Sequence, residues 1–144
     1  MLAISSPETV SFSDTTLLQM LSSHRRRPNL LIVNERASMG DVLQQLTGVC
    51  ESPHWICRFP CTFDVPPAFK GTVVLGNIEQ MTLGQQLDLF DWLSCKPTDT
   101  QVVSITRAPM TELIEDGRFL EGLYFRLNTV VVRAVNLGQY CASF

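Results

Sequence analysis

The stretch LLIVNERASMGDVLQQL, Leu30 to Leu46, joins an apolar run to a helical pattern through a short polar turn. Its first four residues are all apolar, which is typical of a strand buried on both faces of a parallel sheet. Ser38 and Asp41 stand three apart just ahead of the helical pattern, a variant of the capping box in which Asp replaces the usual Glu. The stretch therefore predicts a strand, a turn and a helix that begins near Ser38.

This layout is also that of a phosphate-binding loop, in which backbone N–H groups and a lysine surround nucleotide phosphates. The turn contains no lysine and only one glycine, Gly40, where such loops usually have three. Three interpretations are open at this point: a nucleotide site, the remnant of one, or a coincidental pattern.

Apolar runs alternate with helical patterns along the rest of the chain. A first helix is predicted from Asp14 to the Pro28 region, and Gly117 is expected to end a later one. The further predicted strands are 55–59, 72–75, 102–106 and 129–135, and the further predicted helices are 83–93, 111–116 and 119–127. Helix 83–93 repeats apolar residues with helical spacing at Leu83, Leu87, Phe90 and Leu93. This order predicts one α/β domain over residues 1–144, with a parallel five-stranded sheet between two helical layers.

Composition narrows the function classes. The 144 residues are 45% hydrophobic and 17% charged, enough to bury a core, and no apolar run approaches the roughly 20 residues that span a bilayer. The N-terminus lacks the pattern of a signal peptide, so we expect a cytoplasmic protein. The net charge is −3 and Arg25–Arg27 is the only cationic cluster. We therefore expect neither a membrane nor a nucleic acid as partner.

The cysteines predict thiols rather than a metal centre. There are five, an odd number, which favours reduced and buried side chains over disulfides. Cys50, His54, Cys57 and Cys61 lie within twelve residues, but their spacing matches no standard zinc site. With two histidines and no G-x-S-x-G elbow, nucleophilic catalysis is not predicted either.

Three segments, GTVVLGNIEQMTLGQQLDLFDWL (71–93), VVSIT (102–106) and EDGRFLEGLYFRLN (115–128), resemble the central AAA+ ATPase domain of the bacterial enhancer-binding proteins that activate sigma-54 RNA polymerase. The third segment is the most specific, because it follows the family's GRFREDLYYRLN through Gly117, Arg118, Phe119, Glu121, Leu123, Tyr124, Arg126, Leu127 and Asn128. The resemblance extends more weakly over roughly residues 14–132. It implies a P-loop NTPase (AAA+)-like sheet and a role in transcriptional regulation.

The family's phosphate loop falls on Leu30 to Leu43 without an insertion. Its loop glycines correspond to Asn34, Ala37 and Met39, and its lysine corresponds to Gly40. Glycines allow the backbone to approach phosphate and the lysine neutralises phosphate charge, so these replacements imply loss of that chemistry. The nucleotide-binding positions implied by the resemblance, degenerate here, are Asn34, Glu35, Arg36, Ala37, Ser38, Met39, Gly40, Asp41, Gly76, Asn77 and Arg107.

The second half of the nucleotide site is also altered. The family's Asp-Glu pair, which organises magnesium and the attacking water, corresponds to Gly76 and Asn77, and its sensor asparagine corresponds to Arg107. Asparagine cannot act as a general base and glycine offers no ligand. Glu79 could replace the lost carboxylate only from roughly 6 to 7 Å further along an extended strand. We therefore expect neither ATP hydrolysis nor a resident cofactor.

Two arginines remain as candidates for subunit contact. Of the family's two finger arginines, the first corresponds to Leu120 and the second is kept as Arg126; Arg118 is also kept. A finger donated to a neighbouring subunit is one interpretation of Arg126. The other, a helix arginine kept for packing or an ion pair, is the one we favour.

Segments of the family with known roles are missing from this sequence. No GAFTGA loop, which grips sigma-54, occurs between Thr47 and Lys70, so direct contact with sigma-54 is not expected. The helical lid, the helix-turn-helix and the receiver domain also have no counterpart.

The resemblance and the replacements together predict a pseudo-ATPase of the sigma-54 activator type that acts by binding a protein, either a complete activator or a second copy of itself. The alternative is a nucleotide-binding regulator that holds ATP through the helix N-terminus and Arg36 or Lys70 without efficient hydrolysis.

Overall fold

The structure is a computed structural model, described here for residues 9–11, 28–35 and 37–133. The helix predicted after Asp14, the Arg25–Arg27 cluster, Arg36 and Cys141 lie outside the described residues.

The strands form one sheet in which every neighbouring pair is parallel. The described strands are β1 (Thr9–Ser11), β2 (Leu30–Val33), β3 (His54–Arg58), β4 (Thr72–Gly76), β5 (Gln101–Thr106) and β6 (Val130–Arg133). Their spatial order is β1-β6-β2-β5-β4-β3. All five predicted strands are present, so the parallel sheet is confirmed. The count of five was one too low, because three residues of β1 also pair with β6 and are too short to produce a periodic signal.

Helices cover both faces of this sheet, as predicted. They are α1 (Met39–Val49), α2 (Leu83–Cys95), α3 (Met110–Glu115) and α4 (Glu121–Leu127), with a short 3-10 helix at Ile78–Gln80. Leu30 and Ile32 of β2 pack with α1 on one face, whereas Leu31 packs with α2 to α4 on the other. The apolar run of β2 is therefore buried on both faces, which explains why it carries no polar alternation.

The ends of the elements follow the predicted local chemistry. Gly117 has a positive φ of 73° just after α3, and the N–H of Arg118 donates to the carbonyl oxygen of Leu113 at 2.8 Å. This is the expected glycine C-cap. The segment from Phe59 to Lys70 contains no helix or strand and connects β3 to β4. No described helix is long and apolar enough to cross a membrane.

Helix α2 buries only one end of the apolar row that its spacing indicated, with Leu93 in the core. Leu83 and Leu87 are 48% and 56% exposed, and Phe90 is only partly buried. The buried side chains of α2 are Gln86, Leu89, Trp92 and Leu93. The helix carries two apolar rows, and the pattern alone could not show which of them faces the sheet.

A polar side chain, Gln86, accounts for this orientation. Its side-chain nitrogen donates to the carbonyl oxygens of Met81 (3.2 Å) and Arg118 (3.0 Å), and its side-chain oxygen accepts the N–H of Leu120 at 2.8 Å. Three backbone groups are thereby satisfied by one fully buried amide. Gln86 thus joins the start of α2 to the segment that precedes α4.

Candidate functional site

The candidate site lies where β2, β5 and β4 end side by side. Because the three strands are parallel neighbours, Asn34, Arg107 and the Gly76–Asn77 pair emerge at the same edge of the sheet. The N–H of Asn34 donates to the carbonyl oxygen of Thr106 at 2.8 Å, which holds the first two strand ends together. The topology therefore brings together the sequence-predicted positions from three separate segments.

The loop enters α1 through the predicted cap. Ser38 is the N-cap residue, and its hydroxyl accepts the N–H of Asp41 at 3.1 Å. Ala37 and Met39 are buried in the core on the α1 side of the sheet, whereas Gly40 is exposed, with open space around it. Two of the positions at which phosphate-binding loops carry glycine thus hold side chains that serve packing.

Met39 occupies the space beside Gly76. A Cβ placed on Gly76 would lie 3.4 Å from both Sδ and Cε of Met39 and 3.6 Å from Cγ of Arg58. Gly76 is buried, and Met39 is almost completely so. A side chain at position 76 would therefore begin in van der Waals contact with the thioether. The two replacements fit each other, a relation that the sequence positions alone did not reveal.

Asn77 turns the chain away from the strand direction. Its backbone is left-handed (φ 59°, ψ 49°), a conformation that asparagine tolerates better than most residues. Its side-chain nitrogen donates to the carbonyl oxygen of Phe59 at 3.3 Å. The 3-10 helix follows at once, so Glu79 does not lie further along an extended strand, and the geometry assumed for it from sequence was wrong.

Arg107 connects the loop with the turn that follows β4. Its guanidinium nitrogen Nη2 donates to the carbonyl oxygen of Ala37 at 3.4 Å, and its backbone N–H donates to the carboxylate of Glu79 at 3.3 Å. Both contacts are at the long end of hydrogen-bond distances. They engage the side chain of Glu79 and direct a cationic group toward the loop backbone.

Asn34 is fully buried, and among the residues that the structure describes neither its side-chain oxygen nor its side-chain nitrogen has a hydrogen-bond partner. A buried unsatisfied amide is uncommon in native proteins because it loses its water without replacement. The residue stands where phosphate-binding loops begin with glycine. Glu35 is exposed.

The two candidate contact arginines have different environments. The guanidinium carbon of Arg126 lies 5.1 Å from the ring centroid of Phe90, and its Nη2 donates to the hydroxyl of Ser94 at 3.4 Å. Arg126 is therefore engaged within its own chain, in agreement with the packing interpretation. The side chain of Arg118 is 68% exposed, with a 4.0 Å contact to Asp116.

The cysteine region has no arrangement of metal ligands in the described part of the chain. No group of three or more His, Cys, Asp and Glu side chains there could hold an ion. The ring nitrogen Nε2 of His54 instead lies 3.0 Å from the carbonyl oxygen of Cys50. The described cysteines are free thiols, and Cys50 and Cys57 are buried as predicted. Cys95 is exposed, because it lies at the end of α2 outside the core, so the prediction of burial was wrong for it.

The buried thiol of Cys50 predicts a loss of stability in alkaline solution. Burial raises the pKa of Cys50 from 9.0 to about 11. The unfolded chain therefore releases this proton at lower pH than the folded chain, and the free energy of unfolding should fall as pH rises from 9 to about 11. Urea denaturation across this range should show a shallower fall for Cys50→Ala than for the wild type. Equal slopes would contradict the assignment.

Comparison with known proteins decides the family. A profile of the sigma-54 interaction domain matches residues 61–137, more than half of the 144 residues. The chain belongs to the sigma-54 interaction domain family. It is also 30% identical over 110 residues to the pathogenicity locus probable regulatory protein HrpR of Pseudomonas syringae pv. syringae, a match that covers 69% of this chain and 32% of HrpR. The family is one of AAA+ ATPase-type domains of transcriptional regulators, as the three motif segments implied.

Solved structures agree on the fold of this sigma-54 interaction domain. A structure of NtrX from Brucella abortus in complex with ADP has a TM-score of 0.59 at 16% identity, covering 83% of this chain and 34% of that chain. Another NtrX structure has a TM-score of 0.60 at 15% identity, covering 89% and 37%. Together with the all-parallel sheet, these similarities show an α/β fold of the P-loop NTPase type. The chain spans about a third of the length of the relatives it matches.

Proposed function

We propose that this sigma-54 interaction domain does not hydrolyse ATP and acts in transcriptional regulation by binding another protein. The observation that supports this most is the pairing of Met39 with Gly76: position 76 offers no carboxylate for magnesium, and the thioether of Met39 lies 3.4 Å from where a Cβ at that position would be. Gly40, which stands at the position of the family's lysine, has no cationic side chain to offer a γ-phosphate. Positions 40 and 76 therefore supply neither the phosphate-binding cation nor the magnesium ligand of a phosphoryl-transfer site.

Arg107 strengthens this proposal. In the family resemblance its position belongs to a sensor asparagine that faces the nucleotide. Here the guanidinium donates to the carbonyl oxygen of Ala37 and so connects the end of β5 to the loop. An arginine that contacts the loop backbone in this way occupies a position from which the family's asparagine would serve a nucleotide.

A complete sigma-54 activator is the partner we propose, with a second copy of this chain as the other candidate. Such a pseudo-subunit would dock through surfaces that include the exposed side chain of Arg118 and the edge of the sheet at which β2, β5 and β4 end. Direct contact with sigma-54 is not proposed, because the connection from Phe59 to Lys70 is short and contains no inserted loop.

The experiment adds the purified chain to a complete sigma-54 activator from the same cell and measures both association and the activator's ATPase rate. We expect association at micromolar concentration and a change of at least about twofold in the rate; absence of association would contradict the proposal. Arg118→Glu should weaken association about fivefold or more. Lys70→Glu makes the same charge change at another exposed position and should leave association unchanged.

A further inference from the structure

Helix α2 and helix α4 meet at Phe90 and both expose apolar side chains to solvent. Leu83, Leu87 and Phe90 are four and three residues apart and form one row along α2. A Cβ on Gly122 of α4 would lie 3.7 Å from the ring of Phe90, so the two helices meet there without an intervening side chain. Phe125 stands three residues after Gly122 and is 63% exposed. We call these five residues the α2–α4 stripe.

One end of the α2–α4 stripe is fixed by internal contacts. Arg126 stacks on Phe90 and donates to Ser94, one turn beyond Phe90 on α2. The guanidinium covers part of the Phe90 ring and leaves Leu83, Leu87 and Phe125 as the exposed apolar groups. Three large apolar side chains on adjoining helices form a larger patch than the isolated exposed residues that are normal on a protein surface.

Negative charge borders this stripe on both helices. Asp88 and Asp91 form the next row of α2, and Glu121 lies in the first turn of α4; all three are exposed. Helix α2 contains no lysine or arginine. Within the described residues, none of the three carboxylates is in ion-pair contact with a basic side chain. The surface therefore combines an apolar centre with an acidic border, except at the Phe90 end, where the cationic Arg126 lies.

We propose that the α2–α4 stripe docks a basic amphipathic helix of a partner protein, with apolar side chains of that helix against Leu83, Leu87 and Phe125. Its lysines or arginines would face Asp88, Asp91 and Glu121. From Leu83 to Phe90 the stripe is about 10 Å long, which matches about two turns of a helix. Pairing of α2 with α2 of a second copy is disfavoured, because it would bring the acidic rows together. The inference rests on the proposed function in requiring a protein partner.

The test uses two synthetic helical peptides with the same leucine pattern, one flanked by lysines and one by glutamates. Binding of each labelled peptide to the full chain is measured by fluorescence anisotropy. We expect the lysine peptide to bind at least tenfold more tightly than the glutamate peptide, and this preference to shrink at high salt. Equal affinity for the two peptides, or no binding of the lysine peptide, would overturn the proposal.

Variants locate the binding on the surface. The double variant Leu87→Ser/Phe125→Ser should weaken binding of the lysine peptide at least tenfold. Its fold, checked by circular dichroism, should stay intact because both side chains are exposed. Ile56→Ser is the matched control, since Ile56 is an apolar side chain 44% exposed on β3. An equal loss in both variants, or no loss in the first, would place the peptide elsewhere and refute the α2–α4 stripe as its site.

The same variants separate this inference from the proposed function. If the wild-type chain and Leu87→Ser/Phe125→Ser associate equally well with the complete activator, the proposed docking at the stripe is refuted while the proposed function stands. If the wild type does not associate with the activator, the proposed function fails, and the peptide measurements alone decide whether the stripe binds basic helices.

Discussion

Gly76→Asp is expected to lower the free energy of unfolding by about 3 kcal/mol, because it forces a carboxylate into the buried space that the thioether of Met39 occupies. Gly76→Ala is the matched control. Its Cβ would meet Met39 at 3.4 Å, an ordinary contact, so a change within about 1 kcal/mol is expected. Urea denaturation of the two variants measures both effects.

A double-mutant cycle tests whether Met39 causes the loss of stability in Gly76→Asp. Met39→Ala alone should cost about 2 kcal/mol or more, because it opens a cavity in the core. In that background Gly76→Asp should cost at least about 1 kcal/mol less than in the wild type, since the obstructing side chain has been removed. If the two changes instead add within about 0.5 kcal/mol, Met39 does not occupy the volume assigned to it.

Gln86→Leu is expected to destabilise the domain by about 3 kcal/mol even though it replaces a buried polar side chain with an apolar one of similar size. Leucine cannot accept from the N–H of Leu120 or donate to the carbonyl oxygens of Met81 and Arg118, so three backbone groups lose their partner. Equilibrium urea unfolding gives the value. Leu87→Gln, the reverse exchange on the exposed side of α2, should change stability by no more than about 0.5 kcal/mol. A neutral Gln86→Leu would show that the three bonds contribute little.

The strands and helix ends were predictable from sequence because their signals are local. The apolar run Leu30–Val33 is a strand with the predicted bounds, and Ser38 caps α1 as its spacing with Asp41 indicated. Gly117 has the positive φ that a glycine after a helix predicts. In each case the relevant residues lie within one turn or one strand of each other.

The buried face of α2 was not predictable in the same way. Leucine spacing favoured the row that contains Leu83 and Leu87, but Gln86 lies in the core because its partners are supplied by distant backbone. A hydrophobic pattern places glutamine on the surface, because the sequence does not show which buried carbonyl and N–H groups need a side-chain partner.

The candidate site was predicted as a set of positions but not as a structure. In the sequence, the changes at Met39, Gly76 and Arg107 are three separate replacements of nucleotide-site residues. The sheet order, which places β5 between β2 and β4, brings these positions to one edge, where Met39 lies beside Gly76 and Arg107 contacts the loop backbone. Contacts between distant segments depend on strand order, and no local pattern specifies that order.

The most direct test of the proposed loss of nucleotide chemistry is a titration of ATP with magnesium against the melting temperature of the chain. A nucleotide present at a hundred times its Kd would add roughly 2.7 kcal/mol of stability, which raises the melting temperature by several degrees. Magnesium alone is the blank, and a complete sigma-54 activator is the positive control. We predict no saturable shift for this chain at millimolar ATP, whereas a saturable rise would show that the site still binds nucleotide and would contradict the account.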